Sequence, residues 1–283
     1  MVKDVFRAFD RMGNIALVKF SEGTKVKDKR KFANKLLKQN KAIKTVLEKT
    51  GKFKGRLRKQ TTKHVAGEKT KEALYKENGC VFRFNVDSTY FSPRLSNERK
   101  EIAGKIKKGE DVLVMFAGVS PFSIVIAKMS KARKVYSNEI NREANKYAKL
   151  NIELNKLKGK VVLLPGDIKR NVGWEYFYPT KFKIKDGKKV AVRGKWLKVK
   201  YDVIVMPRPQ LKNSFLKEAF SLSKKGTRIY YYDFCKHDEK KEVVEKIKAE
   251  AKKARKKIKI LGIKNAGEIA PYKFRVRVDF KVL

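Results

Sequence analysis

From residue 111 onward the apolar positions fall into short unbroken runs separated by helix-length amphipathic stretches, an alternation that predicts a parallel sheet with crossover helices. The runs are Asp111 to Ala117, Lys134 to Ile140, Lys160 to Leu164, Asp202 to Met206 and Arg228 to Phe234. Helices are expected after the first two, at Ser214 to Ser223 and, long and basic, at Glu239 to Lys257. Phe274 to Val282 (FRVRVDFKV) alternates with period two and is expected to finish the sheet antiparallel. Between Asp167 and Pro207, Lys181 to Lys200 reads as a basic hairpin turning at Asp186-Gly187, an insertion at about residues 170–200.

The first third reads differently. A strand is expected at Asn14 to Phe20 after a turn at Gly13, and a helix over Lys25 to Lys49, with Phe32, Leu36, Leu37, Ile43, Val46 and Leu47 at helical spacing and the other face nearly all Lys. Gly51 to Gly67 shows little periodicity, Phe82 to Tyr90 alternates as a strand, and Asn97 to Lys107 reads as a helix. The expected organisation is a small α+β domain at 1–75, a bridging segment at 76–108 and an α/β domain at 109–283.

Within DVLVMFAGVSPFSIVIAK, Gly118 and Ser120 permit a tight turn after the first strand, and Pro121 pre-sets φ for the helix that follows. In a doubly wound sheet this place is where a nucleoside-bearing cofactor sits. Glu139 ends the second strand about 20 residues on, where an acid can accept both hydroxyls of a ribose. Asp167, after Gly166, puts a second carboxylate one strand further along the same rim. GVSPF is not GxGxxG, so an α/β turn without a ligand stays open on these residues alone.

Charge narrows the partner. The 283 residues hold 73 Lys and Arg against 29 Asp and Glu, a formal net charge of +44. That excess points to a polyanion, nucleic acid above all. A heat-adapted surface would enrich Glu alongside Lys, and here the acids do not keep pace. Cys80 and Cys235, with His64 and His237 as the only histidines, provide neither a disulfide framework nor a CxxC metal site. Without a signal-peptide pattern or a membrane-length apolar stretch, a cytoplasmic protein with reduced cysteines is expected.

Three motifs in this order carry a more specific likeness: Tyr75-Lys76-Glu77-Asn78-Gly79-Cys80; Tyr90-Phe91-Ser92-Pro93-Arg94-Leu95 with Glu98-Arg99; and Met115-Phe116-Ala117-Gly118-Val119 with Pro121-Phe122. They resemble the archaeal and eukaryotic family of class I methyltransferases that modify the tRNA purine at position 37, and the likeness runs from Phe9-Asp10 to Val282. The resemblance implies a Rossmann-like domain that uses S-adenosylmethionine, preceded by a small α+β domain, acting on the anticodon loop of tRNA. It implies cofactor contacts at Arg94, Met115, Phe116, Ala117, Gly118, Val119, Pro121, Glu139, Ile140, Asp167 and Ile168, with Glu139 on the ribose and Asp167 facing the adenine amino group. No metal is implied.

On the catalytic side the resemblance implies Glu98, Arg58, Arg94, Pro207 and Pro209. Glu98 falls where the family's proposed general base lies, and Arg58, or Arg56 if the alignment slips by two, falls near the arginine that faces the guanine oxygen. Guanine N1 carries its proton near neutral pH, so methylation there needs a base to remove it and a cation to hold charge on O6. Two plainer readings stay open: an (i, i+4) ion pair between Glu98 and Arg94, and phosphate binding by Arg56 and Arg58.

This chain departs from the family at three places. Val114 stands where relatives usually have Asp, and Ser120 where they have Gly. Pro207-Arg208-Pro209 replaces Asn-Leu-Pro, which points to a bifunctional branch that methylates both guanine N1 and the tricyclic intermediate 4-demethylwyosine. The family's N-terminal module that docks on the tRNA corner is expected to be missing, with basic segments at Lys25 to Lys63, Lys181 to Lys200 and Lys240 to Lys257 neutralising phosphates instead. Two other functions remain: the related wyosine-pathway transferase, which moves the cofactor's aminocarboxypropyl group, and a non-catalytic basic RNA-binding protein.

Overall fold

The structure, a computed structural model, describes residues 9–51, 55, 57, 60–171, 175–208, 213–236 and 239–283. Strands β1 (Phe9–Met12) and β2 (Ile15–Val18) turn on Gly13, whose φ of 62° and whose approach to the Leu74 carbonyl, 1.8 Å from an added Cβ, admit only glycine. Helix α1 (Val26–Gln39) then leads to β3 (Thr45–Lys49) and β4 (Thr62–Gly67), giving a four-stranded sheet in the order β1-β2-β3-β4. Ala33 and Leu36 of α1 pack on Ala16, Val18 and Val46. A buried Leu of this kind contributes about 1.5 to 3 kcal/mol.

The helix expected over Lys25 to Lys49 therefore stops ten residues early. The Asn40 amide closes the last turn on the Leu36 carbonyl at 2.9 Å. Thr45 and Val46 then pair in parallel with Ile15 and Ala16. Non-local pairing overrides the helical spacing of Ile43, Val46 and Leu47. The same pairing makes β4 out of a stretch with little periodicity, since Thr62 to His64 lie against Leu47 to Lys49.

Strands β5 (Glu72–Glu77) and β6 (Cys80–Asn85) form a hairpin whose two turn residues, Asn78 (φ 48°) and Gly79 (φ 68°), are both left-handed, as an Asn-Gly pair permits. The strand ends at Asn85 rather than continuing to Tyr90, because the Asn85 side-chain oxygen accepts the amides of Asp87 (2.9 Å) and Ser88 (3.1 Å) and turns the chain. A 3₁₀ turn at Pro93–Leu95 enters α2 (Ser96–Gly104).

The remaining elements are β7 (Asp111–Val114), α3 (Pro121–Met129), β8 (Lys134–Glu139), α4 (Arg142–Leu154), β9 (Val161–Pro165), α5 (Ile168–Asn171), the hairpin β10 (Glu175–Lys185) and β11 (Lys188–Lys198), β12 (Tyr201–Met206), α6 (Leu216–Ser221), β13 (Ser223–Lys236), α7 (Lys240–Lys253), β14 (Ile258–Ala270) and β15 (Lys273–Val282). The large sheet has the order β14-β15-β13-β12-β7-β8-β9. Pairs β7–β12, β12–β13 and β8–β9 are parallel, whereas β15 runs antiparallel to both β13 and β14. The expectation that Phe274 to Val282 finishes the sheet is corrected: β14 lies outside it. Gly262, Gly267 and three register shifts against β15 leave β14 without the clean alternation that marks a strand.

The chain divides into two compact units, one of residues up to 108 with 117–165, the other of 109–116 with 166–283. In the first unit α4 holds the edge of β6 by its side chains. The Asn151 amide bonds both the N–H (2.7 Å) and C=O (3.0 Å) of Arg83, and Asn155 does the same for Val81 at 2.9 and 2.7 Å. Four residues along a helix advance about 6 Å, nearly the spacing of alternate strand residues, so the two amides act as one more strand. In the second unit a buried Arg277 donates to Asp279 through Nε and Nη2, at 2.7 and 3.1 Å, on β15. Among the described residues no helix is long and apolar enough to cross a membrane.

Candidate active site

The first unit builds its site around the turn after β7. Gly118 has φ of 59° and an added Cβ would lie 3.2 Å from the Tyr90 carbonyl oxygen, so the turn requires glycine there. Its amide donates to Glu139 Oε2 at 2.8 Å, and the Asn141 amide donates to Glu139 Oε1 at 2.7 Å. Glu139 ends β8 and is 7 % exposed. A carboxylate has about four acceptor positions, so two backbone bonds fix its orientation and leave acceptor capacity for a diol. Ile140 follows, half-buried.

Neighbouring bonds lock the same turn. The buried Ala117 donates its amide to the Asn138 carbonyl at 2.8 Å, and Asn138 donates its side chain to the Leu164 carbonyl at 2.8 Å. The Val119 carbonyl accepts from Asn151 at 3.2 Å, and Pro121 opens α3 as expected. Ser120 sits at φ 67°. Its hydroxyl lies 2.7 Å from that of Ser137, which also accepts from Ser123 at 3.0 Å, so a buried hydroxyl network offsets the cost of a left-handed serine.

Below this turn the motif residues lock together. Arg99 on α2 makes a bidentate ion pair with Glu77 of β5, the two side chains 1 % and 3 % exposed, and donates to the Ser92 carbonyl at 3.0 Å. Its guanidinium lies 5.1 Å from the Phe91 ring centroid and 5.6 Å from that of Phe122. Phe91 stacks on Phe84 at 4.6 Å and tilts against Tyr75 at 5.0 Å. Tyr75 and Glu77, Phe91 and Arg99, and Phe122, drawn from the three motifs, thus pack as one cluster. Glu98, next to Arg99 in the first turn of α2, is 5 % exposed. The helix N-terminus favours a carboxylate there.

Arg94 is exposed and reaches Asp10 Oδ1 at 3.3 Å, so its ion pair is made with β1. Asp10 also pairs with Lys49. Partial burial acts to raise the Asp10 pKa, but the Lys49 hydrogen bond and charge, with those of Arg94, outweigh it and hold the carboxyl below its ordinary value. Burial pushes the Cys80 thiol up to about 11.

In the second unit the buried Met115 bonds its amide to the Val205 carbonyl at 2.9 Å. Phe116, at φ 57°, sets its ring against Phe215, centroids 5.0 Å apart. Asp167, half-buried, caps the turn of α5 by accepting the Lys169 amide at 3.1 Å, and the next residue, Ile168, is buried. Pro207 follows β12, half-buried. Arg56, Arg58 and Pro209 lie outside the described residues. Among the described residues no cluster of three or more His, Cys, Asp or Glu is placed to hold a metal ion.

Sequence reasoning missed the supporting residues. Arg99 and Glu77 each stand in one of the motifs, but their pairing across 22 residues could not be read from them. Asn141 caps α4 through the Glu143 amide at 3.1 Å while donating to the Ser88 carbonyl at 2.8 Å. The signal available was the unusual run of asparagines, at 141, 145, 151 and 155, in and beside a helix they do not favour.

Comparison with known proteins agrees with this arrangement. Residues 73–176 match a family model described as the TRM5/TYW2 methyltransferase domain, and residues 1–70 match one described as the TYW2 N-terminal domain. The chain is 33 % identical over 276 residues to the tRNA (guanine(37)-N(1))-methyltransferase Trm5b of Pyrococcus abyssi, covering 97 % of this chain and 74 % of that one. It is also 33 % identical over 310 residues to the tRNA (guanine(37)-N(1))/4-demethylwyosine(37)-methyltransferase Taw22 of Nanoarchaeum equitans, covering 98 % of this chain and 100 % of that one. Among solved structures, wild-type Trm5b from Pyrococcus abyssi superposes with a TM-score of 0.79 at 32 % identity, over 97 % of this chain and 74 % of that one. The complex of aTrm5 and tRNALeu gives 0.78 at 26 %, over 99 % and 73 %. The chain belongs to the TRM5/TYW2 methyltransferase family.

Proposed function

We propose that this chain methylates the purine at position 37 in the anticodon loop of tRNA, using S-adenosylmethionine, with guanine N1 and 4-demethylwyosine as its two targets. The observation that carries the reading is Glu139, anchored by two backbone amides at the rim of β8 beside a glycine turn. Full-length likeness to a Nanoarchaeum equitans enzyme named for both bases supports the pair of targets.

The residues present fit the cofactor. The fixed, acceptor-rich Glu139 would hold the ribose hydroxyls, Met115 to Val119 with Pro121 would hold the methionine moiety, and Asp167, flanked by Ile168, would hold the adenine amino group. Bound S-adenosylmethionine supplies a methyl on a cationic sulfur, which leaves with the bonding electron pair. The chain's task is then to make guanine N1 a nucleophile. Glu98 accepts the N1 proton, freeing the electron pair that bonds to the methyl carbon, while Arg58 holds the charge that grows on O6. The buried Glu77–Arg99 pair fixes the helix on which Glu98 stands. Pro207 and Pro209 are assigned to the base by the family resemblance alone.

One observation favours a second reading, aminocarboxypropyl transfer to the same position: residues 1–70 match the TYW2 N-terminal domain. Incubating tRNA with cofactor labelled in the methyl group separates the readings. Label in tRNA supports methylation, label only in methylthioadenosine supports the second reading, and no transfer leaves a basic RNA-binding protein.

A further inference from the structure

Two helices of this chain carry the same basic load in different ways. α1 and α7 each have fourteen residues, and each carries six Lys or Arg. In α7 three glutamates, Glu242, Glu245 and Glu250, offset them. Lys248 pairs with Glu245 and Lys246 with Asp233, both at 2.8 Å, and Lys253 with Glu250 at 2.7 Å. In α1 the one acid is Asp28, and Lys29 alone turns inward, to Glu48 at 2.6 Å. Among the described residues Lys27, Lys31, Lys35 and Lys38 make no ion pair, and all four are exposed.

Their spacing is i, i+4, i+8, i+11, which puts them in one stripe opposite the buried Ala33 and Leu36. The stripe extends about 16 Å along the helix axis, with a cation every 5 or 6 Å or so. Like charges at i, i+4 destabilise a helix. Among the described residues no ion pair compensates this stripe, whereas three of the six α7 lysines, Lys246, Lys248 and Lys253, are paired with acids. A polyanion laid along α1 releases counterions and removes the repulsion together.

We propose that Lys27, Lys31, Lys35 and Lys38 of α1 form a rail for the phosphate backbone of tRNA, and that the equally basic α7 does not. The inference rests on tRNA being the substrate and names the surface that holds it.

The test compares the salt dependence of tRNA binding in the full chain. One variant replaces Lys27, Lys31, Lys35 and Lys38 with Gln; the control replaces Lys241, Lys248, Lys252 and Lys253 of α7, removing the same charge. Each lysine on a phosphate contributes about 0.7 to 0.9 to the slope of log affinity against log salt, so the α1 variant should lose roughly 3 from the slope and the control less than about 1. A slope unchanged in the α1 variant, or lost equally from the control, overturns the rail. The double variant Lys31→Gln/Lys35→Gln, with about half the loss, decides the matter if circular dichroism shows the fourfold variant misfolded. Methyl transfer by wild type at low salt and saturating tRNA is scored separately. Its absence would sink the proposed function, while the slope comparison, a binding readout, still decides the rail.

Discussion

The carboxylate of Glu139 accepts the amide of Gly118, 21 residues earlier in the chain, at 2.8 Å. One bond thus joins the glycine turn to the acid at the end of the next strand. Replacing Glu139 by Ala removes the acceptor for the ribose and the anchor of the turn together. We expect S-adenosylmethionine affinity to fall by about 1.5 to 3 kcal/mol, the scale for hydrogen bonds to a charged group, with tRNA affinity nearly unchanged. Titration calorimetry with each ligand checks this, and unchanged cofactor affinity would take Glu139 out of the ribose site.

Glu98→Gln keeps the shape of α2 but cannot take a proton. Both ligands should still bind, and the single-turnover rate of guanine methylation should drop by about 10²-fold or more. A mutant that turns over like wild type across the pH range would leave Glu98 as a helix N-terminal carboxylate only.

The Glu77–Arg99 pair is buried on both sides, so its partners are not independent. Removing one charge strands the other, at a cost of about 3 to 5 kcal/mol, whereas replacing both by apolar residues is far milder. We therefore expect Glu77→Gln to lower the urea midpoint sharply and Glu77→Met/Arg99→Met to lower it less than either single change. Additive losses would contradict the coupling.

Asp10 provides a pH signature. Its folded pKa is lowered from 3.8, so the stability it adds is present at higher pH and is lost as pH falls through the folded value. The group is substantially exposed, and solvent screening limits the effect to roughly 0.2 to 1 kcal/mol. Wild type should exceed Asp10→Asn by that margin from about pH 5 upward, and the margin should close below the ordinary carboxylate range. Denaturation curves at a series of pH values measure it; a margin that grows on acidification has the wrong sign.

How far the sequence was legible depends on where each strand finds its partners. Strands β7, β12 and β13 carry continuous apolar runs because both faces are covered, and the turn through Gly118 announces itself by Gly, Ser and Pro. Strand β3 looked helical because Ile43, Val46 and Leu47 happen to fall at helical spacing, and only its pairing with β2 decides otherwise. Strand β14 is an edge strand broken by bulges, so it has no period to read. Within the site, Glu139 and Gly118 follow from a spacing rule. Glu77 as the partner of Arg99, Asp10 as the partner of Arg94 and the asparagines of α4 do not, because they depend on which elements meet in space.

The most direct test of the account is methyl transfer to tRNA transcripts that differ only at position 37. With methyl-labelled S-adenosylmethionine, the account expects the transcript carrying guanine 37 to become labelled, the product to be the N1-methyl base, and a transcript with a pyrimidine at that position to stay unlabelled. Equal labelling of both transcripts, or label on another nucleotide, would contradict it.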